Sequence, residues 1–173
     1  MPTKCLPLAL LVLSVLGASN ASAEGKPKCY TTASFEGSWS IVAEYGANVA
    51  KAFGKRTVDK DGNFTGTFLL NGPTTGSTTG QRTITTGTQQ GFITVNCDGT
   101  GKITRVLTAS NGVVTNQVDD FVVTRAIEND GRLIATTFED AVETPSALVP
   151  GGIFVTRVQT RVPPPPDRDW DKR

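Results

Sequence analysis

Two adjacent carboxylates, Asp119 and Asp120, stand inside the segment Thr115–Ala126, which otherwise alternates like a β-strand. Consecutive side chains of a strand point to opposite faces, so this pattern predicts that one of the two carboxylates points inward. An inward carboxylate beside an inward arginine could orient a ligand or act as an acid–base group. The alternatives are a structural ion pair and a solvated strand edge. The arginines that could supply the partner are Arg105, Arg125 and Arg157.

From these polar residues we take Asp120, Arg105 and Arg157 as candidate ligand-binding residues. Arg105 shares a strand face with Ile103 and Leu107. It points into a lumen if that face is the inner one, and otherwise it faces solvent.

Aromatic side chains recur about once in each expected strand. This spacing either fills a core or places several rings around a lipophilic pocket. For the second case the candidate ligand-binding residues are Trp39, Tyr45, Phe68, Phe92 and Phe121.

Several kinds of chemistry have no support in the sequence. It contains no histidine, which removes the commonest general base and the commonest metal ligand. It also lacks a nucleophile elbow, a P-loop and a glycine-rich dinucleotide motif. Asp59, Asp61 and Asn63 are spaced like the start of a calcium loop, but Gly62 is misplaced and Leu70 stands where a ligating glutamate is needed. We therefore expect no cofactor and no metal site, and an enzyme is the less favoured reading.

The first 23 residues have the layout of a secretory signal peptide. Lys4 precedes the apolar run 5–18, and Ala21-Ser22-Ala23 fits the small-residue cleavage rule, so we expect cleavage before Glu24. Without Lys4 the 17 Lys and Arg become 16, which equals the 16 Asp and Glu. A net charge of zero does not favour a nucleic-acid partner. We expect a secreted or periplasmic protein with no membrane span after cleavage.

Cys29 and Cys97 are the cysteines that remain after this cleavage. An even number in an exported chain predicts one disulfide, from the N-terminal segment to the turn at 97–101. The alternatives, free thiols or a metal site, are less favoured because two thiolates without histidine make a poor zinc site.

Short segments rich in β-branched residues and separated by turn residues recur through the chain, which has 25 Thr, 17 Val and 18 Gly. Gly91–Ala109 is the clearest example, with the strands 92–96 and 103–108 joined through Asp98-Gly99. Eight or nine strands at this spacing predict an all-β fold, an antiparallel up-and-down barrel of about eight strands, with a β-sandwich as the alternative. We assign 24–162 to a single β-barrel domain and 163–173 to a Pro-rich exposed tail.

Two local expectations accompany this assignment. Ala47–Phe53, bounded by Gly46 and Gly54, could form a single helical turn. The segments 81–86 and 92–96 are expected to be separate strands.

Gly37-Ser38-Trp39 resembles the G-x-W motif of the calycins, the superfamily of lipocalins and avidins. The resemblance implies that the tryptophan packs at the closed end of a barrel beneath an arginine of the last strand, which would be Arg157 or Arg161. DGNFTGTF, residues 61–68, is similar to the second-strand region of avidins. An avidin pocket needs several tryptophans, whereas the cleaved chain has Trp39 and Trp170, so biotin is not the expected ligand. The chain also resembles small Gly/Thr-rich barrels that bacteria export, some of them similar to the allene-oxide-cyclase barrel.

The sequence therefore favours an exported barrel that binds a small apolar molecule. The second hypothesis is an envelope or extracellular interaction protein that acts through the loops 72–80 and 140–152 or through the tail. The third is a barrel cyclase or isomerase that uses buried carboxylates.

Overall fold

The computed structural model describes residues 28–45, 50–144 and 156–164, and within them it contains eight β-strands and one short 3-10 helix, Thr32–Phe35. No helix in these ranges is long and apolar enough to cross a bilayer. The strands are β1 (Gly37–Tyr45), β2 (Ala50–Val58), β3 (Asn63–Pro73), β4 (Arg82–Val95), β5 (Thr100–Ala109), β6 (Val114–Asn129), β7 (Arg132–Val142) and β8 (Thr156–Arg161).

The strands form a closed antiparallel barrel in which each pairs with its neighbours in the chain. The sheet closes where β1 pairs with β8, from Trp39 opposite Arg161 to Glu44 opposite Thr156. Closure leaves no free sheet edge along these strands. The predicted up-and-down barrel is therefore confirmed, and the sandwich alternative is wrong.

Tight turns between the strands follow the glycine signals in the sequence. Gly99 has φ 89° in the turn between β4 and β5, where Asp98 accepts a hydrogen bond from the Thr100 amide at 3.0 Å. Asp130 and Gly131 both have positive φ, 48° and 76°, in the connection between β6 and β7. Such turns match the twist of the flanking strands, which is why they join antiparallel neighbours.

The helical turn expected at Ala47–Phe53 is wrong for the residues that the structure describes. Ala50 and Phe53 belong to β2, where Ala50 and Ala52 are buried and the residues between and after them are exposed. This is the two-residue period of a strand, and the glycine at position 54 continues the strand instead of bounding a helix. Residues 47–49 lie outside the described part of the chain.

The expected strands 81–86 and 92–96 are parts of one strand, β4. Gly87 and Gly91, which lie between the two expected strands, stand opposite Phe68 and Phe64 of β3. A Cβ atom at Gly87 would lie 2.6 Å from the Phe68 ring, and one at Gly91 would lie 2.9 Å from the Phe64 ring. These glycines therefore leave room for inward phenylalanines, and they do not end the strand.

Aromatic residues close one end of the barrel, which we call the plugged end. Phe35 of the 3-10 helix inserts there, with its ring centre 5.3 Å from that of Phe121 and 5.4 Å from that of Phe138. The indole nitrogen of Trp39 donates to the Phe35 carbonyl oxygen at 2.8 Å. The buried core at this end consists of Phe35, Trp39, Val58, Phe64, Ile93, Ile103, Phe121, Ala135 and Phe138.

The opposite end, which we call the cavity end, has a smaller apolar cluster. Its members are mostly alanines, so they fill less of the barrel cross-section than the aromatic plug does. They are Ala43, Ala50, Ala52, Leu70 and Val142. The two apolar clusters leave the middle of the barrel to polar residues.

Candidate functional site

Besides Thr115, eight buried polar side chains, contributed by six strands, occupy the barrel interior. Buried charges are normally paired because removing them from water costs several kcal/mol each. Such a concentration of charge is therefore the interior feature that needs an explanation. We call these residues the interior polar layer: Arg56, Gln89, Arg105, Gln117, Asp119, Asp140, Arg157 and Gln159.

Asp119 is the centre of the ion pairs in this layer. Its side chain is 0% exposed, and its Oδ2 atom lies 2.9 Å from Nη2 of Arg105. Arg157 bridges the two acids, with one nitrogen on Asp119 and its Nε on Asp140. Asp140 also accepts a hydrogen bond from the Gln159 amide. Strand register brings these groups together, since Asp140 stands directly opposite Arg157 across β7 and β8.

Burial and neighbouring charges act in opposite directions on Asp119. Burial raises the pKa of its carboxyl, while Arg105 and Arg157 oppose this rise by favouring the charged form. The described residues place no group of three or more His, Cys, Asp or Glu side chains where they could hold a metal ion. Arginine is thus the partner that the structure supplies to the buried acids.

Arg56 differs from the other two arginines of the layer. It is 2% exposed, and none of its three guanidinium nitrogens has a hydrogen-bond partner among the described residues. Its guanidinium carbon lies 4.4 Å from the centre of the Phe64 ring, a cation–π contact. Burial and the nearby Arg105 and Arg157 lower the pKa of Arg56 to about 9, although the charges of Asp140 and Asp119 oppose this shift.

A small cavity lies between the interior polar layer and the cavity end. Its volume of about 30 Å³ is room for about two water molecules. Its walls are largely apolar, and they include Ile41, Ala43, Ala52, Phe68, Leu70 and Leu107. Members of the polar layer also line it, namely Gln89, Arg105, Gln117 and Arg157.

The candidate ligand-binding residues of the sequence analysis lie in four different places. Arg105, Arg157 and Phe68 line the cavity. Trp39 and Phe121 belong to the core at the plugged end. Tyr45 ends β1, and its side chain lies outside the described part of the structure.

The remaining two candidates, Asp120 and Phe92, require correction because both point away from the interior. The Asp120 side chain is 62% exposed and pairs with Lys102 at 2.8 Å. Phe92 is 45% exposed, while its neighbour Ile93 is in the core. Strand alternation explains both cases, because every second residue points inward. On β6 the inward residue is Asp119, and on β4 it is Ile93.

Sequence reasoning missed several residues of the layer. Arg56, Gln89, Gln117, Asp140 and Gln159 were not proposed, although each alternates with buried neighbours on its strand. That alternation was the available signal. It could not be used alone, because the register of the neighbouring strands decides which inward polar groups meet.

The predicted disulfide between Cys29 and Cys97 is confirmed. It joins the segment before the 3-10 helix to the turn between β4 and β5. The Tyr30 amide donates to the Cys97 carbonyl oxygen at 3.2 Å in the same place. The plug is thereby attached covalently to the barrel.

At the plugged end, Arg161 covers the indole of Trp39, with its guanidinium carbon 4.8 Å from the ring centre. The same guanidinium donates to the carbonyl oxygens of Ala135 and Ser34, both at 2.8 Å, and to that of Glu36. Of the two arginines that the calycin resemblance allowed, Arg161 has this place. Arg157 belongs to the interior polar layer instead.

Comparison with known proteins adds no family. No family model matches the chain, and no curated protein matches it. A solved structure that it resembles is described as a de novo design of a fluorescence-activating beta barrel. The similarity has 12% sequence identity and a TM-score of 0.40, and it covers 77% of this chain and 99% of the designed one.

Proposed function

We propose that this barrel binds a small, mainly apolar molecule at its cavity end. The observation that carries the proposal is the cavity, which has apolar walls beside a few fixed polar groups. Ligand sites in proteins commonly have this composition, because apolar contact supplies affinity and a few polar groups fix orientation.

The size of the cavity limits the ligand. About 30 Å³ is far below the several hundred Å³ of a site for a drug-sized molecule. The bound molecule is therefore small, or it separates the side chains at the cavity end as it enters. Ala52 and Leu70, which stand opposite each other on β2 and β3, are wall residues at that end.

Binding can be tested with a neutral apolar fluorophore, N-phenyl-1-naphthylamine, whose emission rises in an apolar site. We expect saturable binding to the wild-type protein, with the side chains at the cavity end moving apart because this probe is larger than the cavity. Ala52→Leu should weaken it at least tenfold, because three added carbon atoms would occupy the cavity.

Lys51→Leu provides the matched control. It introduces the same side chain one residue away, on the outer face of β2, where Lys51 pairs with Glu44 at 3.1 Å. Its probe affinity should equal that of the wild type. Equal loss in both variants, or saturable binding that Ala52→Leu leaves unchanged, would contradict a ligand in this cavity.

A second candidate function is supported by the outer surface. Val158, Val42 and Phe53 are about half exposed and stand next to one another across β8, β1 and β2. An exposed apolar row on adjacent strands is typical of a protein contact. Interaction with another protein through this row predicts that Phe53→Ser abolishes a complex that the wild-type protein forms in envelope extract, while Phe92→Ser preserves it.

The carboxylate-based isomerase is the third candidate, and the geometry gives it less support. Asp119 is held by two arginines and is not among the described residues that line the cavity. A catalytic acid or base must reach the proton that it transfers.

We further propose that the chain is exported and that cleavage precedes Glu24. The disulfide supports this, because such bonds persist in oxidising compartments. The intact mass of the protein recovered from its own envelope or medium tests the cleavage point directly.

A further inference from the structure

We propose that the barrel interior binds one small monovalent anion at the guanidinium of Arg56. This inference goes beyond the apolar ligand proposed above and does not depend on it.

Burying the guanidinium of Arg56 without hydrogen bonds is energetically costly. A guanidinium carries five N–H groups, and an isolated buried charge is strongly disfavoured in a protein interior. The Phe64 ring supplies a cation–π attraction to the face of the guanidinium. It accepts no hydrogen bond from the N–H groups, which point outward in the plane of the guanidinium. An anion would accept several of them at once and would compensate the charge.

The interior polar layer has more positive than negative side chains. It contains three arginines and two aspartates, all nearly inaccessible to solvent. The two acids already contact Arg105 and Arg157. One positive charge is therefore in excess, and it is located on the arginine that no described acid contacts. A monovalent anion would balance the layer, whereas a divalent one would reverse its charge.

Two glycines flank Arg56 on the inner wall of the barrel. Gly66 stands directly opposite it on β3, and Gly54 is the preceding inward position on β2. The missing side chain of Gly66 makes room for Arg56 itself, since a Cβ there would lie 2.8 Å from the Arg56 Cα atom. The side chains of Ile41 and Gln89 pack over Gly54. Gln89 follows Gly66 in the same cross-strand row, and both Gln89 and Gly54 line the cavity. The cavity thus reaches the immediate neighbours of Arg56, and through it a small ion can approach from the cavity end.

Two sources could supply the negative charge. It could be a free ion such as chloride or acetate, or the carboxylate head of the apolar ligand. The chemistry at Arg56 is the same in both cases, namely a singly charged group that accepts N–H donors. The experiment therefore compares chloride, acetate and hexanoate.

The stability of the wild-type protein is measured by urea denaturation at constant ionic strength, with gluconate replaced stepwise by chloride. Constant ionic strength keeps the screening of surface charges unchanged. Gluconate is too large for the cavity. For a single site, each tenfold increase in chloride above the dissociation constant should raise the folding equilibrium constant about tenfold. Broadening of the ³⁵Cl resonance by the folded protein provides an independent reading of the bound ion.

Arg56→Met should remove both the chloride dependence and the line broadening. Arg56→Lys should retain the dependence at a higher chloride concentration, because it keeps the positive charge with fewer donors. Arg132→Met is the control, since it removes an exposed arginine at the turn between β6 and β7, and it should behave like the wild type.

The outcomes separate as follows. An effect of chloride and acetate assigns the site to a free ion, and an effect of hexanoate alone assigns it to the head group of a ligand. No anion dependence in the wild-type protein, or a dependence that Arg56→Met retains, would overturn the proposal. Chloride binding without binding of the neutral fluorophore would support the anion site and refute the apolar ligand. Binding of the fluorophore without any anion dependence would support the apolar ligand and refute the anion site.

Discussion

Asp119 and Asp120 allow the same substitution to be tested on the two faces of one strand. Asp119→Asn removes a negative charge that contacts Arg105 and Arg157, and it raises the excess positive charge of the interior polar layer from one to two. Breaking a buried ion pair by neutralising one partner costs about 3–5 kcal/mol. Since a domain of this size is stable by about 5–15 kcal/mol, we expect a large fraction of the folding free energy to be lost.

Asp120→Asn makes the same chemical change on the outer face. The Asp120 side chain is 62% exposed, and its partner Lys102 also contacts Glu143 at 2.7 Å. An exposed ion pair contributes about 0–1 kcal/mol, so this variant should remain close to the wild type.

Urea denaturation followed by tryptophan fluorescence measures both variants, because Trp39 is completely buried in the folded protein. The slope of the transition should stay unchanged, so that the midpoints report stability. Equal midpoints for the two variants, or a loss below about 1 kcal/mol for Asp119→Asn, would refute the reasoning about the buried ion pairs.

Three further predictions concern the scaffold. Gly91→Ala should cost about 1–3 kcal/mol because its Cβ would lie 2.0 Å from the Thr104 carbonyl oxygen and 2.9 Å from the Phe64 ring, whereas Gly72→Ala, whose nearest neighbour is at 3.9 Å, should change the urea midpoint little. Replacing Cys29 and Cys97 by serine should lower the free energy of unfolding by up to about 4 kcal/mol, since the disulfide spans 68 positions, and reduction of the wild type should match this loss. Hydrogen bonds in the turn between β2 and β3 hold the pKa of Asp59 below its ordinary value of 3.8. The contribution of Asp59 to the free energy of unfolding is therefore present above pH 3.8 and is lost as the pH falls through the pKa of the folded protein. Asp59→Ala should accordingly be less stable than the wild type at pH 7, and this difference should shrink in acid.

The fold was largely predictable from local signals, and the exceptions have physical causes. Asp98-Gly99 and Asp130-Gly131 marked hairpin turns because such pairs adopt positive φ at low cost. Glycine has a different role at Gly87 inside β4, where the missing side chain accommodates a phenylalanine of the neighbouring strand β3. A single sequence does not distinguish a glycine that ends a strand from one that receives a neighbour.

The candidate site was less predictable than the fold. Alternation required one of Asp119 and Asp120 to point inward, but both phases of β6 looked plausible. The choice depends on the register with β5, which puts Asp119 opposite the buried Ile103 and Asp120 opposite Lys102. Arg56 was missed for a related reason, since its environment is created by β3 and β4 and not by its own segment.

The closing pair of strands determines how the molecule can be attached to anything else. β1 begins and β8 ends at the plugged end, where the Val162 amide donates to the Ser38 carbonyl oxygen at 2.8 Å. The disulfide holds the segment before β1 at that same end. An attachment through the segment before β1 and one through the segment after β8 both join the barrel at the plugged end. The cavity end faces away from either attachment. A fusion partner or a solid support at either position should thus leave the cavity end unobstructed by the attachment.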